Sequence, residues 1–133
     1  MPRFLLDTNA LIRRIAEPGK LSREQTRTLD DLENRNQAFA LSAITLYELG
    51  ILPTLGVRRI KGGVEPIFRV LENNPLCQIL PITVDIAREI QAIGDALRDP
   101  ADRAIVATAR VHGLKLLTAD QRIIDSGLVP TIE

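Results

Sequence analysis

Short apolar segments alternate with longer amphipathic segments from one end of the chain to the other. The apolar segments lack a helical period and are predicted as β-strands, over 3–6, 38–41, 77–80, 114–118 and 128–132. Helical patterns separate them. Such alternation is typical of a parallel sheet covered by helices on both faces. The sequence therefore predicts one α/β domain over 1–133, with a short central parallel sheet flanked by helices on both faces.

Capping residues mark where most of the helices begin. Asp7, Thr8 or Asn9 caps a helix that reaches about residue 16, and Ser22, Thr83 and Asp99 are the predicted N-caps of helices reaching about residues 35, 97 and 112. Another helix spans 64–73, and a short one precedes the last strand. A further helix starts at Ser42 or Thr45 and runs towards residue 55, where Pro53 is expected to end or kink it early. The segment after Asp99 is almost entirely small and apolar, which predicts a buried helix.

Composition and charge narrow the class of protein. The 133 residues are 45% hydrophobic and 26% charged, with a formal net charge of zero, so no basic excess points to nucleic acid. The single cysteine, Cys77, excludes an internal disulfide and fits a reducing compartment. The first apolar run stops at Asp7, too early for a signal peptide. We expect a cytoplasmic protein that makes no use of a membrane.

Two acids directly follow predicted strands. Asp7 follows the first strand and Asp120 follows the fourth. In open α/β sheets, ligands bind beyond the carboxyl ends of the strands. Each acid, taken alone, is better explained as a helix cap or a turn former.

Two further acids fall on apolar helical faces. Glu48 has Ile44, Ile51 and Leu52 as helical neighbours, although it could also close a capping box with Thr45. Asp102 shares a face with Ile105, Val106 and Ala109, although an acid in a first turn also balances the helix dipole. A carboxylate on a buried face needs a partner.

Carboxylates gathered at one sheet edge would repel one another unless a cation lay among them. No cluster of basic residues stands near these acids in the sequence. Carboxylates without His or Cys are hard oxygen ligands that suit Mg²⁺ or Mn²⁺. The chemistry that such a site predicts is metal-assisted attack of water on a phosphodiester.

Four segments together resemble the PIN-domain ribonucleases, and among them the VapC-type toxins of toxin–antitoxin pairs. The segments are Leu6-Asp7-Thr8-Asn9, Ser42-Ala43-Ile44-Thr45-Leu46-Tyr47-Glu48-Leu49, Asp99-Pro100-Ala101-Asp102-Arg103 with the apolar run after it, and Leu117-Thr118-Ala119-Asp120. They occur in the family's order and span nearly the whole chain. One departure is Tyr47, where relatives often carry Trp.

The resemblance implies roles for individual residues. It implies that the metal site consists of Asp7, Glu48, Asp102 and Asp120, supported by Thr8, Asn9 and Thr118. It also implies hydrolysis of RNA with Mg²⁺ or Mn²⁺, a cognate antitoxin and a homodimer. We expect the antitoxin in an apolar groove near the helices of residues 22–73.

Basic side chains are candidates for contacts with RNA phosphates. The candidates are Arg58, Arg59, Lys61 and Arg103, of which the first three cluster on a predicted loop. Each of these residues, taken alone, is better explained as part of a solvated surface.

Other functions compete with the ribonuclease hypothesis. Asp7 could be the covalent nucleophile of another Mg²⁺-dependent phosphoryl-transfer enzyme, but Asn9 stands where such phosphatases usually carry a second Asp. A receiver-like signalling domain would need paired acids after the first strand. A PIN-like module that only binds RNA or protein is a further alternative, against which the presence of all four acids argues.

Overall fold

A parallel sheet of five strands lies at the centre of the part of the chain that the computed structural model describes, residues 1–55 and 60–133. The strands are β1 (Phe4–Leu6), β2 (Phe39–Ser42), β3 (Cys77–Leu80), β4 (Lys115–Leu117) and β5 (Thr131–Ile132). Their order is β3-β2-β1-β4-β5, and every neighbouring pair is parallel. The predicted strands and their parallel pairing are confirmed.

Seven α-helices connect the strands within the described ranges. They are α1 (Thr8–Ala16), α2 (Arg23–Asn34), α3 (Ala43–Leu55), α4 (Glu65–Asn73), α5 (Val84–Ile93), α6 (Pro100–His112) and α7 (Gln121–Ser126). The side chains of the predicted N-caps Asp7, Ser22, Thr83 and Asp99 all accept hydrogen bonds from backbone amides of their helices. Over residues 1–55 and 60–133, no helix has the length and apolar character needed to cross a membrane.

Helices cover both faces of the sheet because both faces of the strands are apolar. Leu5 of β1 packs in a core cluster with residues of α5 and α6, whereas Leu6 packs in a second cluster with residues of α1 and α2. The same alternation holds in β2, where Ala40 joins the first cluster and Leu41 the second. Neighbouring residues of a strand therefore fix helices on opposite sides, as predicted.

Helix α6 is the most deeply buried helix, as the sequence predicts. Its residues Ala104, Ile105, Val106, Ala107, Thr108 and Ala109 are all buried. Gly113 ends the helix with φ of +66°, a conformation that glycine adopts without steric cost. The buried middle of α6 holds the first turn of the helix in a fixed position.

The predicted end of α3 near residue 55 is confirmed, but an early end at Pro53 and the predicted end of α5 are wrong. Helix α3 continues through Pro53 to Leu55. Pro53 lies in the last turn, where its missing N–H removes a single hydrogen bond, and the apolar α3 keeps its packing. Helix α5 ends at Ile93 rather than near residue 97, because Gly94 has φ of +50° and opens a 3-10 turn over Gly94–Ala96.

The topology defines one crevice at the carboxyl edge of the sheet. The chain moves from β1 outwards to β2 and β3, and later returns to the other side of β1 with β4 and β5. Strands β1 and β4 therefore flank the point where the strand order reverses, which is where open α/β sheets bind ligands.

Candidate functional site

The candidate site lies at the carboxyl ends of β1 and β4. Asp7 directly follows β1, and its amide donates to the carbonyl of Leu117, the last residue of β4, at 3.2 Å. Thr118 and Asp120 directly follow β4. The register of the two strands thus brings residues from opposite ends of the sequence together.

Asp7 is buried and held from two sides. Its Oδ1 accepts the amide of Ala10 at 2.7 Å, and its Oδ2 accepts the hydroxyl hydrogen of Thr118. Burial raises the pKa of Asp7 although both hydrogen bonds oppose the shift, and the charge of Asp120 raises it further. The negative charge of Asp7, at the end of β1, is thus only partly compensated by its surroundings.

Asp120 lies beside Asp7 and caps α7. Its amide donates to the Thr118 hydroxyl at 3.0 Å, so that one hydroxyl group links the two acids. Arg122 donates to Oδ1 from its amide at 2.9 Å and to Oδ2 from Nη2 at 3.2 Å. Burial acts to raise the pKa of Asp120, but the hydrogen bonds from Arg122 outweigh it and hold this pKa below its usual range.

Glu48 lies on α3 and is connected to the site by the hydroxyl groups of Thr8 and Thr45. The Thr8 hydroxyl donates to Oε1 of Glu48 at 2.5 Å and lies 3.0 Å from the Thr45 hydroxyl. Because α3 begins at Ala43, Thr45 lies inside the helix and the capping box with Glu48 is wrong. Burial raises the pKa of Glu48, and the nearby charges of Asp99 and Asp7 act in the same direction.

Asp102 lies half-buried in the first turn of α6. Its pKa is raised to about 7 by burial first, then by the charges of Asp99 and Asp120, with Arg122 opposing the shift. Asp99 itself is the N-cap, and its Oδ1 accepts the amides of Ala101 and Asp102 at 2.9 and 3.1 Å. Helix capping therefore leaves the carboxylate of Asp102 available for another purpose.

The structure brings the four predicted acids into one electrostatic neighbourhood. Asp120 acts on both Asp7 and Asp102, and Glu48 acts on Asp102. Among the described residues, however, no three His, Cys, Asp or Glu side chains form a group that could hold a metal ion as they stand. Asp120 is turned towards Arg122 instead. The donor set still fits a divalent cation chemically, since it consists of hard oxygen atoms whose mutual repulsion is relieved only in part, by Arg122.

Of the predicted supporting residues, Thr8 and Thr118 contact the acids directly. Asn9 lies in the first turn of α1 and is exposed. The sequence reasoning missed Thr45 and Arg122. Arg122 stands two residues after Asp120, a spacing that could have drawn attention to it. Thr45 offered no comparable signal apart from the capping box.

The structure describes two of the four predicted RNA-contacting residues, Lys61 and Arg103. Lys61 is exposed, whereas Arg58 and Arg59 lie outside the described residues. The Arg103 guanidinium donates to the carbonyls of Leu97 and Arg98, the latter at 3.3 Å. Contacts of these side chains with RNA stay predictions.

Comparisons with known proteins agree on one family. The PIN domain profile matches residues 4–126. Ribonuclease VapC22 of Mycobacterium tuberculosis is 29% identical over 124 residues, which cover 92% of this chain and 91% of that protein.

Solved structures give the same result. A chain of FitAcB from Neisseria gonorrhoeae superposes with a TM-score of 0.68 at 27% identity, covering 98% of this chain and 96% of that one. A chain of a toxin–antitoxin complex from Klebsiella pneumoniae gives 0.63 at 26%, covering 97% of each. A chain of VapBC2 from Rickettsia felis gives 0.71 at 16%, covering 96% of each, and so shows the fold alone. Since the profile match takes in almost all of the sequence, the chain belongs to the PIN domain family.

Proposed function

We propose that this chain is a divalent-metal-dependent ribonuclease and the toxin of a toxin–antitoxin pair. The observation that carries the proposal is the gathering of Asp7, Glu48, Asp102 and Asp120 where the strand order reverses, with the pKa of Asp102 raised to about 7. The similarity to ribonuclease VapC22, over nine-tenths of each chain, supports RNA as the substrate.

The four carboxylates are the groups that would hold the metal. Oxygen donors alone suit Mg²⁺ or Mn²⁺, and both ions are proposed as activators. When bound, such an ion polarises the phosphate and lowers the pKa of a coordinated water. Neither Ser42 nor Ser126 has a histidine nearby in the sequence to act as its base, so water is the proposed nucleophile.

The chain itself orients the carboxylates before any ligand arrives. The Thr118 hydroxyl fixes one oxygen of Asp7, and the Thr8 hydroxyl fixes one oxygen of Glu48. Both oxygens of Asp7 accept a hydrogen bond, from the Ala10 amide and the Thr118 hydroxyl, whereas Glu48 accepts the Thr8 hydroxyl at Oε1. Hydrogen bonds of this kind set the orientation of metal ligands and tune their affinity.

The antitoxin is proposed to bind a groove between α1, α2 and α4. The groove has a volume of about 720 Å³, and its mostly apolar lining includes Leu29, Leu32, Phe39 and Val70. Its place agrees with the region expected from the sequence. An amphipathic helix of the antitoxin would fit such a surface. One of the structural neighbours is a toxin–antitoxin complex from Klebsiella pneumoniae, which supports a partner of this class.

A homodimer and a cytoplasmic location complete the proposal. Strand β3 lies at the edge of the sheet, and Ile79, Ile82 and Val84 are exposed on it or just after it. Exposed apolar side chains in one region favour contact with another protein surface. The dimer would be tested by light scattering on wild type and Val84→Asp, which should be monomeric. The cytoplasmic location stays a prediction.

The decisive experiment is RNA cleavage by the purified chain. A panel of structured and unstructured RNAs would be incubated with Mg²⁺, with Mn²⁺ and with chelator, using wild type, Asp7→Asn and the matched control Asp85→Asn. Asp85 is an exposed acid of α5 that pairs with Arg88. We expect cutting only with metal, lost in Asp7→Asn and retained in Asp85→Asn. Cutting in chelator, or undiminished cutting by Asp7→Asn, would overturn the proposal. Metal binding without cutting would favour a binding module.

A further inference from the structure

Gln25 is a buried polar side chain whose hydrogen-bonding groups are all used. Only 1% of its surface is exposed. Its Nε2 donates to the carbonyls of Thr118 and Ile132 at 3.1 and 3.2 Å, and its Oε1 accepts the amide of Ser22 at 3.2 Å. The side chain thus joins the start of α2 to the carboxyl ends of β4 and β5.

These bonds fix the backbone on both sides of the Thr118 hydroxyl. The carbonyl of Ile132 accepts from the amide of Thr118 at 3.2 Å, and Gln25 donates to this same carbonyl and to that of Thr118. The hydroxyl between them donates to Asp7 and accepts from the amide of Asp120. The position of the Gln25 side-chain amide therefore determines the positions of Asp7 and Asp120, two of the four acids.

We propose that Gln25 is a positioning residue of the acidic site, acting through Thr118 on Asp7 and Asp120. The inference rests on the proposed function both for the metal that the four acids hold and for its kinetic consequence. The Gln25 side chain touches none of the four acids, so Gln25 affects metal binding and turnover through the orientation of Asp7 and Asp120. Buried groups behind metal ligands typically change affinity or activity by about 10- to 100-fold.

Gln25 also belongs to the capping box of α2, and this structural role must be separated from positioning. The Ser22 hydroxyl accepts the amide of Gln25 at 3.1 Å. Ser22→Ala removes that bond and weakens the same helix start. It leaves the two bonds from Nε2 to the strand ends in place. Ser22→Ala is therefore the matched control for a general loosening of α2.

The test compares Gln25→Met with Ser22→Ala and wild type. Methionine keeps the length of the side chain but donates no hydrogen bond; Gln25→Asn, which is too short to reach both carbonyls, serves if Gln25→Met does not fold. Mn²⁺ affinity would be measured by calorimetry, and kcat and KM on a cleaved RNA. We expect at least tenfold weaker Mn²⁺ binding and at least tenfold lower kcat for Gln25→Met, with KM within twofold. For Ser22→Ala we expect all three values within twofold of wild type.

A second arm asks whether Gln25 acts through Thr118. In a Thr118→Val background the hydroxyl link is absent, so Gln25→Met should change kcat and Mn²⁺ affinity by less than threefold. Equal losses in Gln25→Met and Ser22→Ala, or a full effect of Gln25→Met in Thr118→Val, would overturn the proposal. If wild type cuts no RNA, the proposed function fails, and the Mn²⁺ affinities still decide the role of Gln25.

Discussion

Thr118 donates its hydroxyl hydrogen to Asp7, a residue 111 positions earlier in the chain. The same hydroxyl oxygen accepts from the amide of Asp120 at 3.0 Å. Thr118 is fully buried and Asp7 is only 6% exposed, so this hydrogen bond is largely shielded from water. The Thr118 hydroxyl therefore sets the position of Asp7, which follows β1, relative to Asp120, which follows β4.

Removal of that hydroxyl is expected to impair the site more than the fold. Thr118→Val leaves the amide of Asp120 and one oxygen of Asp7 without a partner, which costs roughly 1–3 kcal/mol of folding free energy. We expect kcat to fall by about 10- to 100-fold, as for other groups that orient metal ligands. Thr118→Ser keeps the hydroxyl and should restore most of kcat. Failure of the serine variant to recover would show that the methyl group, not the hydroxyl, matters.

Asp102 is expected to control the response of stability to divalent metal. A ligand that binds only the folded state at 100 times its Kd stabilises it by about 2.7 kcal/mol. Thermal unfolding with and without Mg²⁺ should show this gain in wild type and in the exposed control Asp85→Asn. Asp102→Asn should lose the gain, and its metal-free Tm should rise because repulsion is relieved. An unchanged Mg²⁺ response in Asp102→Asn would remove it from the site.

The metal-free protein is expected to lose stability as the pH rises. Burial raises the pKa of Asp102 to about 7 from a usual value of 3.8, so the folded state binds more protons than the unfolded state between these values. Stability therefore falls from about pH 4 to about pH 7, and burial of Asp7 and Glu48, which raises the pKa of both, adds in the same direction.

Urea unfolding in chelator at several pH values measures this dependence. Asp102→Asn should flatten it, because asparagine does not titrate. A profile of Asp102→Asn parallel to that of wild type would contradict the assignment of the effect to this residue.

Arg122 is expected to compete with metal for Asp120. Its guanidinium donates to both oxygens of that carboxylate, at 3.3 and 3.2 Å. Arg122→Gln removes the positive charge, so calorimetry should show several-fold tighter Mn²⁺ binding. The gain should shrink at high salt because Arg122 is exposed. The control Arg88→Gln, an exposed arginine of α5 paired with Asp85, should bind as wild type does. Equal affinities of Arg122→Gln and wild type would disprove competition.

The pattern of the sequence was sufficient for the fold because each signal is local. Strand β1 shows this, since Leu5 and Leu6 face opposite core clusters and both positions are apolar. The acids at strand ends were predicted for the same reason, as the carboxyl edge of a parallel sheet follows from the alternation of strands and helices. Pro53 shows the limit of the local rule that proline ends a helix, because the packing of α3 stabilises the helix beyond this residue.

Thr8 and Thr118 were predicted as supporting residues, but the acid that each one contacts could not be predicted, because the partners are distant in sequence. Thr8 and Glu48 are 40 residues apart, and Gln25 and Thr118 are 93 residues apart. No spacing rule connects such pairs; only the register of β1, β2 and β4 brings them together. In the sequence, Gln25 is indistinguishable from a surface residue of a polar helix.

Because β1 lies in the middle of the sheet, the order in which the strands are synthesised determines when the site can form. Strand β1 is made before β2 and β4 and lies between them, so Asp7 has neither Thr118 nor Asp120 beside it until β4 has been made. A growing chain that ends before β4 carries Asp7, Glu48 and Asp102 but lacks the strand that orients Asp7. If the chain cuts RNA as proposed, the ribosome that makes it is exposed to an assembled nuclease only after β4 has been made.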